Sequence, residues 1–120
     1  MQIWLRRAYR EPGPQDGIRV LVDRIWPRGV RREDLQLDAW LKEISPSDDL
    51  RRWFDHDPQK WPEFKDRYRA ELSDRPDGRQ ALQELRRLAD KGRVTLVFGA
   101  RETRFNNAVA LKEWLTDGRD

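Results

Sequence analysis

The chain has 120 residues, 39% of them charged, a net charge of +3 and no cysteine. That length suits one domain, residues 1–120, with its own core, and the missing thiols exclude disulfides, cysteine nucleophiles and sulfur-ligated metals. Six Trp, four Phe and a supply of Leu and Val argue against wholesale disorder.

No run approaches the ~20 apolar residues that span a bilayer. The start, Met1 to Arg6, lacks the charged opening and long apolar middle of a signal peptide. A cytoplasmic location with no membrane contact is therefore expected. Charge is uneven: residues 1–32 hold Arg6, Arg7, Arg10, Arg19, Arg24, Arg28, Arg31 and Arg32 against Glu11, Asp16 and Asp23. The cations are mostly arginine, which suits bidentate capture of phosphate or carboxylate. A GC-rich genome would produce the same bias.

In chain order, residues 2–6 (QIWLR) predict a short strand with Ile3 and Leu5 on one face. Two Pro and two Gly make residues 11–17 (EPGPQDG) a loop. Residues 18–23 (IRVLVD) read as a strand covered on both faces, as in parallel sheets, stopped by Pro27 and Gly29. Arg31 to Leu35 predicts one helical turn. Residues 37–45 are ambiguous: Leu37, Trp40, Leu41 and Ile44 match helical spacing, while Ala39 and Leu41 would share a strand face.

Ser45-Pro46-Ser47-Asp48 predicts a helix start, with Ser45 as cap and Pro46 first, running to about Phe54 with Leu50, Trp53 and Phe54 inward. A turn at 58–61 and a helix over 62–73 follow, because Pro62 would break a longer ladder. Residues 75–78 (RPDG) predict a turn, and Leu82, Leu85, Leu88 and Ala89 a helix over 79–91 stopped by Gly92. Residues 94–98 (VTLVF) read as a second buried strand. Thr103 is the expected cap of a last helix with Ala108, Leu111 and Leu115 inward, ended by Gly118. The fold class is α/β: a single layered domain with a small, mostly parallel sheet of about four strands flanked by helices.

In open α/β sheets ligands bind beyond the carboxyl ends of the strands. Residues 18–29 (IRVLVDRIWPRG) and 99–107 (GARETRFNN) supply such ends. If they meet, Arg24, Arg28 and Arg101 would clamp an anion, Asn106 and Asn107 would donate hydrogen bonds, and Trp26 would wall the pocket. Asp23 would orient the arginines or act as a base. The competing reading is an ion network that only pins loops.

No carboxylate pair has convincing spacing, and the lone His56 before Asp57-Pro58 reads as a capping or surface residue. One His and no Cys fall short of a zinc ligand set, magnesium on Asp23 and Asp38 has no further support, and no cofactor is expected. The alternative function is nucleic-acid binding through the arginine-rich first 32 residues, with tryptophans stacking on bases.

The stretches RVLVDRIWPRG, LDAWLKEISPS, LRRWFDHDPQKWPEFKDRY and VTLVFGARETRFNNAVALKEWL together resemble the YeaO-like bacterial members of domain of unknown function 488, over nearly the whole chain. The resemblance implies an α/β fold in which the segment after Leu35 returns to the sheet, favouring strand within residues 37–45. It implies no established activity. Relatives in the wider family carry Cys-Ala-Glu and Cys-His-Arg where this chain has Gly99-Ala100-Arg101 and Asn106-Asn107-Ala108, so no thiol chemistry transfers. No helix-turn-helix pattern supports a transcription-regulator role.

Overall fold

The computed structural model describes residues 1–117. Four parallel strands form one sheet in the order β1-β4-β2-β3. They are β1 (Ile3–Arg7), β2 (Ile18–Leu21), β3 (Ala39–Trp40) and β4 (Val94–Phe98). The helices are α1 (Arg32–Leu35), α2 (Asp48–Phe54), α3 (Trp61–Asp74), α4 (Pro76–Lys91) and α5 (Asn107–Thr116). Among the described residues no helix is long and apolar enough to cross a membrane.

β2 and β4 are apolar on both faces apart from the buried Arg19 and Thr95, because both faces are covered. Val20 and Val22, with Val94, Leu96 and Phe98, face the large core formed with α2 to α5. Leu21 and Val97 point the other way, onto Ala8, Leu35, Trp26 and Trp40. The period of two sorts each strand between a thick helical layer and a thin one built from α1 and loops. Trp26 and Trp40 meet edge to face, with centroids 5.4 Å apart, in the thin layer.

Gly17 sits at the joint where β2 begins. It is at φ +68°, and a Cβ there would lie 2.4 Å from the Arg93 carbonyl, which accepts the Ile18 N–H at 2.9 Å. A side chain would suffer both the left-handed backbone and a clash with an atom that cannot move without breaking the sheet. Gly17→Ala is therefore expected to lower stability by about 2–3 kcal/mol, as a reduced midpoint in urea. An unchanged midpoint would show that the joint relaxes.

The ambiguous residues 37–45 divide. Ala39 and Trp40 pair with Val20 and Leu21 as β3, and Lys42–Ile44 then form one 3-10 turn. Three helix boundaries differ from expectation. Ser47, not Ser45, caps α2 by accepting the Leu50 N–H at 3.1 Å, while Ser45 donates its hydroxyl to the Lys42 carbonyl. Ser47 also donates to Glu71 of α3 at 2.5 Å, which joins the two helices.

Residues 75–78 are not a turn. Pro76 opens α4 at a position that needs no N–H, and Gly78 lies inside α4 because its bare Cα lets the helix lean on the Leu72 backbone. Asn106, not Thr103, caps α5 by accepting the Val109 N–H at 2.9 Å. The expected stop at Gly118 falls outside the described residues.

Candidate functional site

The sheet order places β2 and β4 side by side while the chain leaves them in opposite senses. From β2 it runs through α1 in the thin layer to β3; from β4 it turns into α5 in the thick layer, against β1. This is the switch point where α/β sheets open a crevice, and the two strand ends do meet there. The Gly99 N–H donates to Asp23 Oδ2 at 2.8 Å. The Asn107 amide donates to the Val22 carbonyl at 3.0 Å and to Asp23 Oδ1 at 3.2 Å. Arg7, at the end of β1, holds the same turn by donating to the carbonyls of Gly99 and Ala100.

Beyond this junction lies a cavity of about 420 Å³, within the range of about 300–1,000 Å³ typical of small-molecule sites. Asp23 and Asn107 line it, with Ile25, Phe54, Phe64 and Ala100 among its apolar residues. Its cations are Arg24 from the end of β2, and Arg51 and Arg52 from the last turn of α2. Each arginine has an acidic neighbour near the surface: Glu43 loosely for Arg24 at 3.9 Å, and closely Asp48 for Arg51 at 2.7 Å and Asp49 for Arg52 at 2.5 Å. Exposed pairs of this kind contribute little to stability.

Asp55 and His56 follow α2 with φ of +46° and +53°, two successive non-glycine residues in the left-handed region. Strain of that sort needs support from its surroundings, and His56 supplies it. Its Nδ1 lies 2.8 Å from the Phe105 carbonyl, so Nδ1 carries the proton, and its ring meets Phe54 edge on. The turn after α2 is thus pinned to the loop before α5, and both border the cavity.

Burial pushes the Asp23 carboxyl above the usual carboxylate value, against the hydrogen bonds from Gly99 and Asn107 and the charges of Arg51 and His56 that pull it down. Burial pushes the Tyr68 phenol, in the large core, well up, and the charge of Asp23 adds to this. Its hydroxyl donates to the Ile44 carbonyl. Ser45, also on the cavity wall, has its proton committed to Lys42. Among the described lining residues there is no nucleophile paired with a base. The arrangement is suited to holding an anion.

The residues expected from the sequence divide accordingly. Asp23, Arg24 and Asn107 converge on the cavity. Asn106 reaches its wall but is buried and spent, capping α5 through Oδ1 and donating Nδ2 to the Glu102 carbonyl. Trp26 lies in the thin layer with its indole N–H on the Val30 carbonyl. Arg28 and Arg101 are exposed and do not line the cavity. Asp38 accepts the Arg19 N–H near the start of β2, roughly 13 Å along the strand from Asp23 at ~3.3 Å per residue, so the two carboxylates do not form a magnesium pair. Arg51, Arg52 and His56 were missed. Their sequence signal was present, two cations in a helix's last turn before a strained polar corner, but the packing of α2 over the strand ends is a tertiary fact.

The arginine-rich start is largely engaged by the protein itself. Arg6 and Arg19 pair with Asp16, Arg7 with the β4 turn, Arg24 with Glu43 and Arg31 with Asp34. Arg10, Arg28 and Arg32 are exposed. Trp40, Trp53, Trp61 and Trp114 pack on the cores, with Lys42, Arg67, Lys65 and Arg69 respectively over their rings. On each of these four rings a cation of the chain already occupies one face.

Taken together, the fold and its crevice define a small parallel α/β protein with a cationic pocket at the strand ends. A family model described as "Inactive DUF488-N3 subclade" matches residues 2–120, and the chain belongs to the DUF488 family. It is 42% identical over 118 residues to the uncharacterised protein YeaO of Escherichia coli, covering 96% of this chain and 97% of that one. It is 41% identical over 118 residues to the uncharacterised protein Rv3073c of Mycobacterium tuberculosis, covering 98% of this chain and 96% of that one. No solved structure gives a significant match.

Proposed function

We propose that the protein binds a small anion-bearing compound in the crevice between the ends of β2 and β4 and the last turn of α2. The observation that carries the reading is the convergence of Arg24, Arg51 and Arg52 on one cavity of ligand size. A partly enclosed anion gains charge-assisted hydrogen bonds from guanidinium groups, which are about twice as strong as neutral ones. The absence of a paired nucleophile and base among the described lining residues, and the subclade's description as inactive, favour binding over turnover.

Titration calorimetry with inorganic phosphate, sugar phosphates and nucleotides tests this. Arg51→Ala should weaken binding about tenfold or more without unfolding the protein, since its partner Asp48 is exposed. Arg28→Ala and Arg101→Ala should change affinity by less than about twofold. No binding at millimolar concentration, or binding indifferent to Arg51→Ala, would refute the proposal.

A further inference from the structure

Asp23 stands out among the cavity groups. A carboxylate has about four acceptor positions on its two oxygens. Two are taken, by the Gly99 N–H and the Asn107 amide. Asp23 is half-buried, yet among the described residues no cation lies within ion-pair distance of it, although three arginines line the same cavity. The arginines pair instead with surface acids on the outside of the crevice.

The cavity therefore presents two opposite demands a short way apart: guanidinium donors that want an anion, and a carboxylate with spare acceptor capacity that wants a donor. A bare anion would satisfy the first and sit unfavourably beside the second. A third feature limits shape. Ile25, 65% exposed between Arg24 and Trp26, lines the opening, offering apolar contact to the body that joins the two polar ends.

Resting on the anion-binding reading above, we infer that the ligand is a small bifunctional acid: an anionic group held by Arg24 and Arg51, and on the same short carbon skeleton an amino or hydroxyl donor that hydrogen-bonds to Asp23. A second candidate on the molecule carries less. The hollow beside Ala8, Tyr9 and Arg10 is more open, and none of its described polar lining residues is buried.

Matched probes separate this inference from the parent reading. Phosphoethanolamine and ethyl phosphate share a phosphate monoester and differ by an ammonium; β-alanine and propionate do the same for a carboxylate. In calorimetry on the full chain, the amino member of at least one pair should bind roughly tenfold or more tighter than its partner, and Asp23→Asn should abolish that preference. Equal affinity within both pairs, with binding still lost in Arg51→Ala, would overturn the bifunctional ligand and leave anion binding standing. Binding by none of the four would overturn the bifunctional ligand, while anion binding itself falls only if inorganic phosphate, sugar phosphates and nucleotides also fail to bind.

Asp23→Asn also disturbs the Gly99 and Asn107 bonds, so a second measurement uses the unaltered protein. The Asp23 side-chain carboxyl carbon resonance should move on addition of phosphoethanolamine and stay fixed with ethyl phosphate. A resonance indifferent to both, under conditions where phosphoethanolamine binds, would overturn the inference.

Discussion

Asp16→Ala should lower the stability of the fold by about 3–4 kcal/mol, a large share of the total for a domain of this size. Asp16 is 2% exposed and lies beneath Arg19, itself 4% exposed on β2. Its Oδ2 accepts from Arg19 at 2.6 Å and from the Gly13 N–H at 2.9 Å, and Oδ1 faces Arg6 at 3.2 Å. Removing the carboxylate leaves a buried guanidinium with one firm bond, from Nε to the Leu35 carbonyl at 3.0 Å, and unties the loop before β2. Urea unfolding should show a lower midpoint with an unchanged slope. A loss under about 1 kcal/mol would mean that water or a neighbouring chain segment solvates Arg19 in the variant.

The pH dependence of that effect has a fixed sign. Burial pushes Asp16 up, but the bonds from Gly13 and Arg19 and the charges of Arg6 and Arg19 outweigh it and hold the carboxyl below its ordinary value of 3.8. A depressed folded value means that the stabilisation is present above the ordinary value and lost as pH falls through the depressed one. The stability gap between the unaltered protein and Asp16→Ala should therefore shrink below about pH 4. Asp23 has the opposite sign. Its folded value is raised, so its protonated form stabilises at low pH, and that contribution is lost as pH rises through the raised value.

The frame of the fold was legible in the sequence because it depends on local signals. VTLVF and IRVL read as buried strands since both faces of the sheet are covered, and Leu82, Leu85 and Ala89 marked α4 through their spacing. Where reading failed, two local solutions competed and a distant contact decided. Ser45 and Ser47 are both plausible caps, and the choice turned on Glu71, twenty-four residues away, accepting from Ser47. Pro76-Asp77-Gly78 has turn composition, but Gly78 is used for close approach to Leu72. The meeting of Asp23 with Gly99 and Asn107 followed from the rule for strand ends. The cations of the cavity did not, because Arg28 and Arg101 leave the crevice while α2 brings Arg51 and Arg52 into it.

Phe64→Ala should cost about 3–5 kcal/mol and blunt ligand binding at the same time. Phe64 is 1% exposed and stacks on Phe54 with centroids 4.1 Å apart and planes 15° apart. It also touches Trp61 and Tyr68. Truncation removes the middle of this aromatic column and leaves a void that stiff neighbours cannot fill. Phe54 lies at the end of α2, one turn after Arg51 and two residues before the strained His56 corner, so loosening it frees the helix end that carries the cavity's cations. Phe64→Leu should restore most of the stability by filling the space, since hydrophobic swaps of similar size cost less than about 1.5 kcal/mol. If the column only fills volume, binding should recover in proportion in Phe64→Leu. If the flat stack aligns α2, Phe64→Leu should remain folded while binding stays reduced. Calorimetry on the two variants at a temperature where both are folded decides between them, and unaltered affinity in Phe64→Ala would detach the aromatic column from the site altogether.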